Sequence, residues 1–409
     1  MNLAMNTGTH TGARTVASAS PLHGSAQQTR DLLSPVIDIQ NAPDDVLRDI
    51  YARVIWSALA EPGDRVAGTL VAQLGPNGAL QRASRQQAGE SAELIAGRKR
   101  WQPRWQPRLA QETLRAAAVA GLQLLTPAST HWPAGVNDLG PHAPLCLWVR
   151  GDPARLPIGG SGVAIVGARA ATSYGEHVAG ELASDLAATG VIVVSGAAYG
   201  IDGAAHRAAI GSSGNTVAFL AGGADRAYPR GHTTLIDRIA ECGAVVSEVP
   251  CGSAPTKWRF LMRNRLIAAM STATVVVEAG WRSGSLNTAG HAASLARGLG
   301  AVPGPVTSST SAGCHRLIRE YGAACITRAD DVRELLGISC GAPAPGAEPR
   351  TDDRSRVVDA LSTRVWRSSS DIAQRAGMSI GESEAQLGLA MLEGDVERGA
   401  TGWRLVPRR

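Results

Sequence analysis

Long apolar runs, clustered cysteines and lysine are the features that this 409-residue sequence lacks. No stretch approaches the about 18–20 uninterrupted apolar residues of a transmembrane helix, and the N-terminal segment has no apolar core typical of a signal peptide. The six cysteines form no C-x-x-C pair and no histidine cluster accompanies them, which disfavours a disulfide framework and a structural zinc site. We therefore expect a soluble, cytoplasmic protein that has no metal, no cofactor and no membrane partner.

The basic residues are almost all arginines. Of the 40 lysines and arginines, only Lys99 and Lys257 are lysines, and the formal net charge is +5. The planar guanidinium suits phosphate, because its fixed donors can contact two oxygens at once. Two stretches, 98–108 and 257–265, carry basic residues without intervening acids. The first stands alone and predicts a solvated surface, whereas the second lies beside other phosphate-binding signals.

The length predicts two or three domains. Residues 1–33 mix small and polar residues without an apolar period, which predicts a disordered tail. Apolar residues three and four apart then predict helices from Asp44 to Leu59, over 66–74 with an end at Gly75-Pro76, and over 108–120. The resulting division is a helical domain over 34–135, a core over 136–337, a Pro/Ala/Gly linker over 338–353 and a C-terminal domain over 354–409.

The core segment alternates short apolar strands with helix-length segments. Six runs predict strands: Val163–Val166, Val191–Val194, Thr216–Phe219, Ala244–Val246, Thr274–Val277 and Ala301–Val302. This alternation is typical of an α/β protein with a parallel sheet that helices cover on both faces. Ligands of such sheets bind beyond the carboxyl ends of the strands, so we expect the functional residues there.

The C-terminal segment predicts a winged helix. Three helices that begin near Val357, Ser368 and Ser379 precede a β-hairpin over 396–406. Nine arginines balance nine acidic residues over 351–409, which weakens the case for a reader of duplex DNA and leaves protein docking open.

The first core strand ends in Gly167-Ala-Arg169. A dinucleotide site would need a second glycine where Arg169 stands, so that the backbone could approach the pyrophosphate. A guanidinium that contacts phosphate is therefore the favoured interpretation, and a local ion pair is the alternative.

The second core strand ends in Ser195-Gly196 and leads into a helix, whose first amides are suited to an anion. Asp202 and His206 lie four residues apart on that helix. A helix cap with a packed histidine is favoured over an acid–base pair.

The fifth core strand is followed by Ser283-Gly284-Ser285, a second turn that could hold an anion before a helix. Glu278 at the end of this strand has no nucleophile or second carboxylate nearby in the sequence, which favours a structural acceptor over a catalytic base.

A basic and aromatic segment precedes that strand. It contains Lys257, Trp258, Arg259, Phe260, Arg263, Asn264 and Arg265. Single-stranded nucleic acid is bound by such segments, because cations contact the backbone and rings stack on bases. The alternative is that both rings belong to the core and the arginines are solvated.

These residues together resemble the DNA-processing protein A family, also called DprA or Smf. The matching motifs are Val163–Arg169, Ser195–Asp202 with His206, Tyr228-Pro229, Ser247-Glu248, Phe260–Arg265, Glu278–Leu286 and Val302–Gly304. They follow one another in order over about 130–330. The flanking helical and winged-helix segments also resemble modules of this family.

The resemblance implies an extended Rossmann-like core between a small SAM-like helical domain and a winged helix. It implies a non-enzymatic, homodimeric protein that binds and protects incoming single-stranded DNA in natural transformation and helps to load the RecA recombinase. The family's DNA pocket would include Arg169, Lys257 and Phe260. Leu261 replaces the usual proline beside Phe260, which could alter how that ring is held, and His232 replaces an asparagine at a position without a DNA role.

We predict twelve DNA-binding residues: Gly167, Arg169, Ser195, Gly196, Lys257, Phe260, Arg263, Asn264, Arg265, Ser283, Gly284 and Ser285. A nucleotide-processing enzyme on a lysine-decarboxylase-like Rossmann fold is the alternative interpretation. Such enzymes need a Pro-Gly-Gly-x-Gly-Thr-x-x-Glu turn, and the sequence from Val302 to Pro305 lacks its later glycines and its acid.

Overall fold

The computed structural model describes residues 25–87, 89–159, 162–338 and 353–406. The chain forms two compact units, residues 1–339 and 340–409. Most of the predicted tail and of the predicted linker lies outside the described residues, and the boundary near residue 135 stays a prediction. None of the described helices is long and apolar enough to cross a membrane.

Five helices form the N-terminal part of the first unit. They are α1 (Ala26–Leu33), α2 (Asp44–Leu59), α3 (Arg65–Ser84), α4 (Ala92–Trp101) and α5 (Leu109–Val119). Three of them begin after a side chain that accepts a free backbone amide: Ser25, Asp64 and Ser91. The structure confirms the helices predicted from Asp44 and over 108–120.

One prediction for this region was wrong, whereas the predicted helix end at Gly75-Pro76 is confirmed. The tail predicted over 1–33 contains α1, which a Ser25 capping box begins and which Leu33 anchors in the core. A helix of two turns is too short to show a clear apolar period in the sequence. Gly75, with φ of 70°, breaks α3, but the helix resumes at Pro76 because proline is well tolerated in a first turn.

Nine strands form one sheet in the first unit. They are β1 (Gln123–Leu125), β2 (Leu147–Gly151), β3 (Gly162–Val166), β4 (Ile192–Ser195), β5 (Thr216–Phe219), β6 (Ala244–Ser247), β7 (Ala273–Val276), β8 (Gly298–Ala301) and β9 (Ala324–Cys325). Their order is β1-β2-β6-β5-β4-β3-β7-β8-β9. The strands from β3 to β9 pair in parallel, as predicted, whereas β2 pairs antiparallel with β1 and β6.

Seven helices connect or follow these strands. They are α6 (Ser173–Ala188), α7 (Ile201–Gly211), α8 (Thr233–Cys242), α9 (Lys257–Met270), α10 (Ser285–Ser294), α11 (Ala312–Tyr321) and α12 (Ala329–Leu335). Residues of β3 alternate between the two faces: Val163 and Ile165 pack in the cluster with α6 and α7, and Ala164 and Val166 pack in the cluster with α9 and α10. The α/β class and the parallel, Rossmann-like core are therefore confirmed.

The chain changes direction across the sheet at β3. From β3 the chain adds β4, β5 and β6 on one side, and then returns to place β7 on the other side. In doubly wound sheets such a switch point leaves a crevice beyond the carboxyl ends of the two central strands. The turns after β3 and β7 must therefore meet at one crevice.

The second unit has three helices and a hairpin, as predicted for a winged helix. These are α13 (Asp353–Asp359), α14 (Ser369–Ala376), α15 (Ile380–Leu392), β10 (Val396–Gly399) and β11 (Gly402–Leu405). The unit has its own apolar cluster, to which Val357, Ile372, Leu387 and Trp403 belong.

Candidate functional site

A cavity of about 410 Å³ lies at the switch point between β3 and β7. Eight of the predicted site residues line it: Gly167, Arg169, Phe260, Arg263, Asn264, Ser283, Gly284 and Ser285. They come from the turn after β3, from α9 and from the turn after β7. The structure thus brings together residues that are more than 100 positions apart in the sequence.

Helix α9 presents one face to this cavity. Phe260, Arg263, Asn264 and Ile267 follow one another at helical spacings of three and four residues, and all line it. Lys257 is exposed one turn before Phe260 on the same side of the helix, and it is not among the residues that line the cavity. Thr256 is the N-cap of the helix, and its hydroxyl accepts a hydrogen bond from the amide of Arg259.

The ring of Phe260 is partly buried and contacts two cations and one other ring. The guanidinium carbons of Arg169 and Arg263 lie 4.8 and 6.0 Å from its centroid, and the centroid of Tyr228 lies 5.5 Å away. Arg169 is exposed, so the cation–π contact holds a positive charge at the mouth of the cavity. Trp258 is 55% exposed, and the interpretation of both rings as core is therefore wrong.

Arg263 forms the floor of the cavity and is almost completely buried. Its Nη1 donates to the carbonyl oxygen of Phe219 at 2.6 Å, while its Nε has no partner among the described residues. Burial lowers the pKa of Arg263 to about 10, an effect that the carboxylate of Asp202 opposes and the charge of Arg169 reinforces. The guanidinium therefore stays charged at neutral pH.

Polar groups of the turn after β4 bond within the protein. The amides of Gly196 and Ala198 donate to one oxygen of Asp202 at 3.1 and 3.4 Å. The buried hydroxyl of Ser195 donates to the carbonyl oxygen of Ile165 at 2.6 Å. A carboxylate of the same chain thus takes the amides that a phosphate would use, and the DNA contacts of Ser195 and Gly196 stay a prediction.

Asp202 and Gly196 instead fix the position of Arg263. Burial raises the pKa of Asp202, which the Arg263 charge and the two amides oppose. A Cβ atom at Gly196 would overlap the guanidinium of Arg263, so only glycine allows this close approach. The second turn also lines the cavity, through Ala198 and Asp202.

His206 is fully buried one helical turn after Asp202. Its Nδ1 lies 2.7 Å from the hydroxyl of Thr216, which itself donates to the carbonyl oxygen of Val193. The hydroxyl must therefore accept a hydrogen bond from the protonated Nδ1 of His206. Burial lowers the pKa of His206 to about 3. The structure supports the favoured interpretation of a capping aspartate and a packed, neutral histidine.

Arg265 forms a buried ion pair, and its predicted contact with DNA stays a prediction. Its side chain is 2% exposed, and its Nη2 donates to both carboxylate oxygens of Glu248 at 2.6 Å. On the same helix, Arg259 donates to Glu61 at 2.9 Å. These two arginines tie α9 to Glu248, directly after β6, and to the loop between α2 and α3, and neither lines the cavity.

The turn after β7 closes the cavity opposite the turn after β3. The hydroxyls of Ser283 and Ser285 lie 2.7 Å apart, and Asn264 donates to the carbonyl oxygen of Gly284 at 3.4 Å. A side chain at Gly284 would meet nothing within 4 Å. This turn therefore has both polar groups and free space on the side of the cavity.

Glu278 is a structural acceptor, as predicted. It is 2% exposed and accepts the amide and the hydroxyl of Thr172 at 2.9 and 2.6 Å, and the hydroxyl of Thr310 at 3.1 Å. Its carboxylate caps the start of α6 and holds the loop before α11.

The basic stretch 98–108 is largely exposed, as expected, with Lys99, Arg100 and Arg108 on the surface, and three of its arginines form ion pairs. Arg98 pairs with Glu90, Arg100 with Asp64, and Arg104 with Glu61.

The sequence analysis missed several residues at the cavity, among them Thr288, which lines it, and Tyr228, which lies beside it. The ring of Tyr228 contacts Phe260, yet Tyr228 lies 32 positions earlier in the chain (260 minus 228). The Tyr-Pro motif could have indicated it. The described residues include no group of three or more histidine, cysteine or acidic side chains able to hold a metal ion.

Comparisons with known proteins point to one family. The family model for DNA recombination-mediator protein A matches residues 123–337. The chain is 43% identical over 367 residues to the putative DNA processing protein DprA of Mycobacterium tuberculosis (strain H37Rv), which covers 86% of this chain and 92% of that relative. It is 36% identical to DNA processing protein DprA of Bacillus subtilis, over 53% of this chain and 72% of that relative. The crystal structure of DNA processing protein A from Streptococcus pneumoniae matches with a TM-score of 0.57 and 28% identity, over 69% of this chain and 95% of that chain.

Removal of the carboxylate of Glu248 should destabilise the protein by about 3–5 kcal/mol, because it leaves the buried guanidinium of Arg265 uncompensated. Urea unfolding of Glu248→Ala, followed by circular dichroism, measures this loss. The control is Glu93→Ala, which removes an exposed ion pair with Arg65 and should cost about 0–1 kcal/mol. Equal stabilities of the two variants would contradict the structural role of Arg265.

His206 should make the protein sensitive to acid. Its folded pKa of about 3 lies below the ordinary value of about 6.5, so the unfolded chain binds the extra proton between these limits. Stability should therefore fall as the pH falls from about 6.5 towards 3, by up to about 1.4 kcal/mol per pH unit. Urea unfolding at several pH values should show a shallower dependence for His206→Asn. His177→Asn, at an exposed site on α6, should behave as the wild type, and a wild-type slope in His206→Asn would contradict the assignment.

Proposed function

The chain belongs to the DNA recombination-mediator protein A family, and from this membership we propose that it binds single-stranded DNA in the cavity between β3 and β7. Its relatives carry the name DNA processing protein, and the same general function is assigned to this chain. The observation that carries the binding site is the combination of free cations and a partly open ring at the mouth of one cavity.

The two cations proposed to bind DNA, Arg169 after β3 and Lys257 on α9, differ from Arg259 and Arg265 in having no acidic partner among the described residues. Arg169 and Lys257 are exposed and form no ion pair with any described residue. Arg259 and Arg265, by contrast, are neutralised by Glu61 and Glu248. Cations without an ion pair gain the most free energy from a phosphate contact, because no internal pair has to be broken before the contact forms.

The position of Phe260 favours a single strand over a duplex. The ring lies in a cavity of about 410 Å³, where only a base that is unstacked and unpaired could reach it. Stacking on a ring is nearly independent of base identity, so we expect little sequence selectivity. The serine turn and the charged floor formed by Arg263 would lie near the backbone of the strand.

The winged helix adds no second DNA site in this proposal. Its third helix, α15, carries Glu382 and Glu384 and has no basic residue. A helix that reads the major groove must approach phosphates, which these carboxylates would repel. We assign this unit to contacts with proteins.

The remaining parts of the proposal rest on family membership. We propose that the protein acts in the cytoplasm as a homodimer, protects incoming single strands during transformation, and passes them to the RecA recombinase. The family description as a recombination mediator supports this sequence of events.

We further propose that the protein is not an enzyme. The acidic and basic groups that a nucleotide hydrolase could use, Asp202, His206 and Glu278, are buried and hold internal hydrogen bonds. Assays for base or phosphate release from nucleotides should detect no turnover, and activity lost in Glu278→Gln would support the alternative enzyme.

Charge and stacking should separate in the binding of a fluorescent oligothymidylate. Arg169→Ala and Lys257→Ala should each make the log–log salt slope shallower by about 0.7, because each loses about one phosphate contact. Phe260→Ala should cost about 1–3 kcal/mol with an unchanged slope, because stacking releases no counterions. Anisotropy titrations at several salt concentrations measure both quantities.

The sequence offers a matched control for the loss of charge. Lys99, the other lysine, is exposed on α4, and Lys99→Ala should leave both affinity and slope unchanged. An unchanged slope in Lys257→Ala, or unfolding of Phe260→Ala, would overturn the assigned site.

A further inference from the structure

A tight turn projects from the edge of the cavity towards α11. The amide of Ser283 donates to the carbonyl oxygen of Gly280 at 3.1 Å, which places Trp281 and Arg282 at the tip. Ser283 lines the cavity, and two residues of chain span at most about 7 Å. Trp281 is therefore an immediate neighbour of the cavity but is not part of its lining.

Trp281 is exposed and is held by a cation. More than half of its surface, 55%, is open to solvent. The guanidinium carbon of Arg316 lies 5.2 Å from its ring and 5.5 Å from the ring of Tyr321. The Nε of Arg316 also donates to Glu320 at 2.8 Å, so this guanidinium is fixed. A large exposed ring that is held in place is costly in water and suited to stacking.

Arg282 supplies a free charge beside this ring. It is exposed and has no ion pair or hydrogen bond with any described residue. The tip of the turn therefore repeats the arrangement of Phe260 with Arg169, in which an exposed cation accompanies an accessible ring. Both arrangements lie at the carboxyl edge of the sheet, on either side of the serine turn.

On the basis of the proposed function, we propose that Trp281 is a second platform for base stacking and that Arg282 contacts the adjoining phosphate. The bound strand then leaves the cavity over the Gly280–Ser283 turn and continues towards α11. Charge complementarity and direct continuity with the cavity favour a nucleic acid over a protein partner as the ligand of this ring.

Titrations with a length series of fluorescent oligothymidylates, from about 4 to 16 nucleotides, test this extension. Trp281→Ala should weaken the binding of the longer oligonucleotides by about five- to 150-fold and leave the shortest that binds unaffected. Trp281→Tyr should retain most of the affinity, because an aromatic ring remains. Arg282→Ala should lower the salt slope by about 0.7, again only for the longer oligonucleotides.

Trp258 is a matched control, since it is also 55% exposed. Successive helical residues are rotated by about 100°, which places Trp258 on the side of α9 that faces away from the cavity. Trp258→Ala should therefore bind every length as the wild type does.

The outcomes separate this inference from the proposed function. If Phe260→Ala weakens the binding of oligonucleotides of every length and Trp281→Ala weakens the binding of none, the cavity binds DNA and the assignment of Trp281 as a second platform is wrong. If Trp281→Ala changes the molecular mass in solution but not the binding of any oligonucleotide, the ring contacts protein and the inference is overturned. If neither variant affects binding, the proposed function fails as well.

Discussion

Arg263 carries a positive charge into the floor of the cavity, and the surrounding turns are arranged around this buried guanidinium. It is held by the carbonyl oxygen of Phe219, packs against Gly196 and lies close to the carboxylate of Asp202. A buried charge without such partners would cost several kcal/mol. The glycine after β4, the aspartate of α7 and the arginine of α9 therefore depend on one another.

Helix α9 separates stabilising charges from free charges. Arg259 and Arg265 are paired with Glu61, between α2 and α3, and with Glu248, directly after β6, which fixes the helix in place. Lys257 is exposed one turn before Phe260 and forms no ion pair with any described residue. This division explains how a short basic segment can stabilise the fold and present a binding surface at the same time.

The sequence was informative where a pattern is local and uninformative where the partner is distant. The parallel strands and the glycine-rich turns could be predicted, because apolar runs and helix starts depend on neighbouring residues. The strands β1, β2 and β9 and the helix α1 were missed, because their stability depends on packing against the rest of the fold. The internal partners of Arg265 and Gly196 could not be predicted for a related reason: Glu248 and Asp202 come next to them only after folding. Arg169 and Phe260, which interact across 91 positions (260 minus 169), were assigned to one pocket because of the family resemblance.

The preference for single strands is the central claim, and a salt titration tests it most directly. Binding of the full-length protein to one oligonucleotide is measured by anisotropy, with and without its complementary strand, over a range of salt concentrations. The account predicts tighter binding to the single strand at moderate salt, since only an unpaired base can enter the cavity beside Phe260. Equal or tighter binding to the blunt duplex under the same conditions would contradict it.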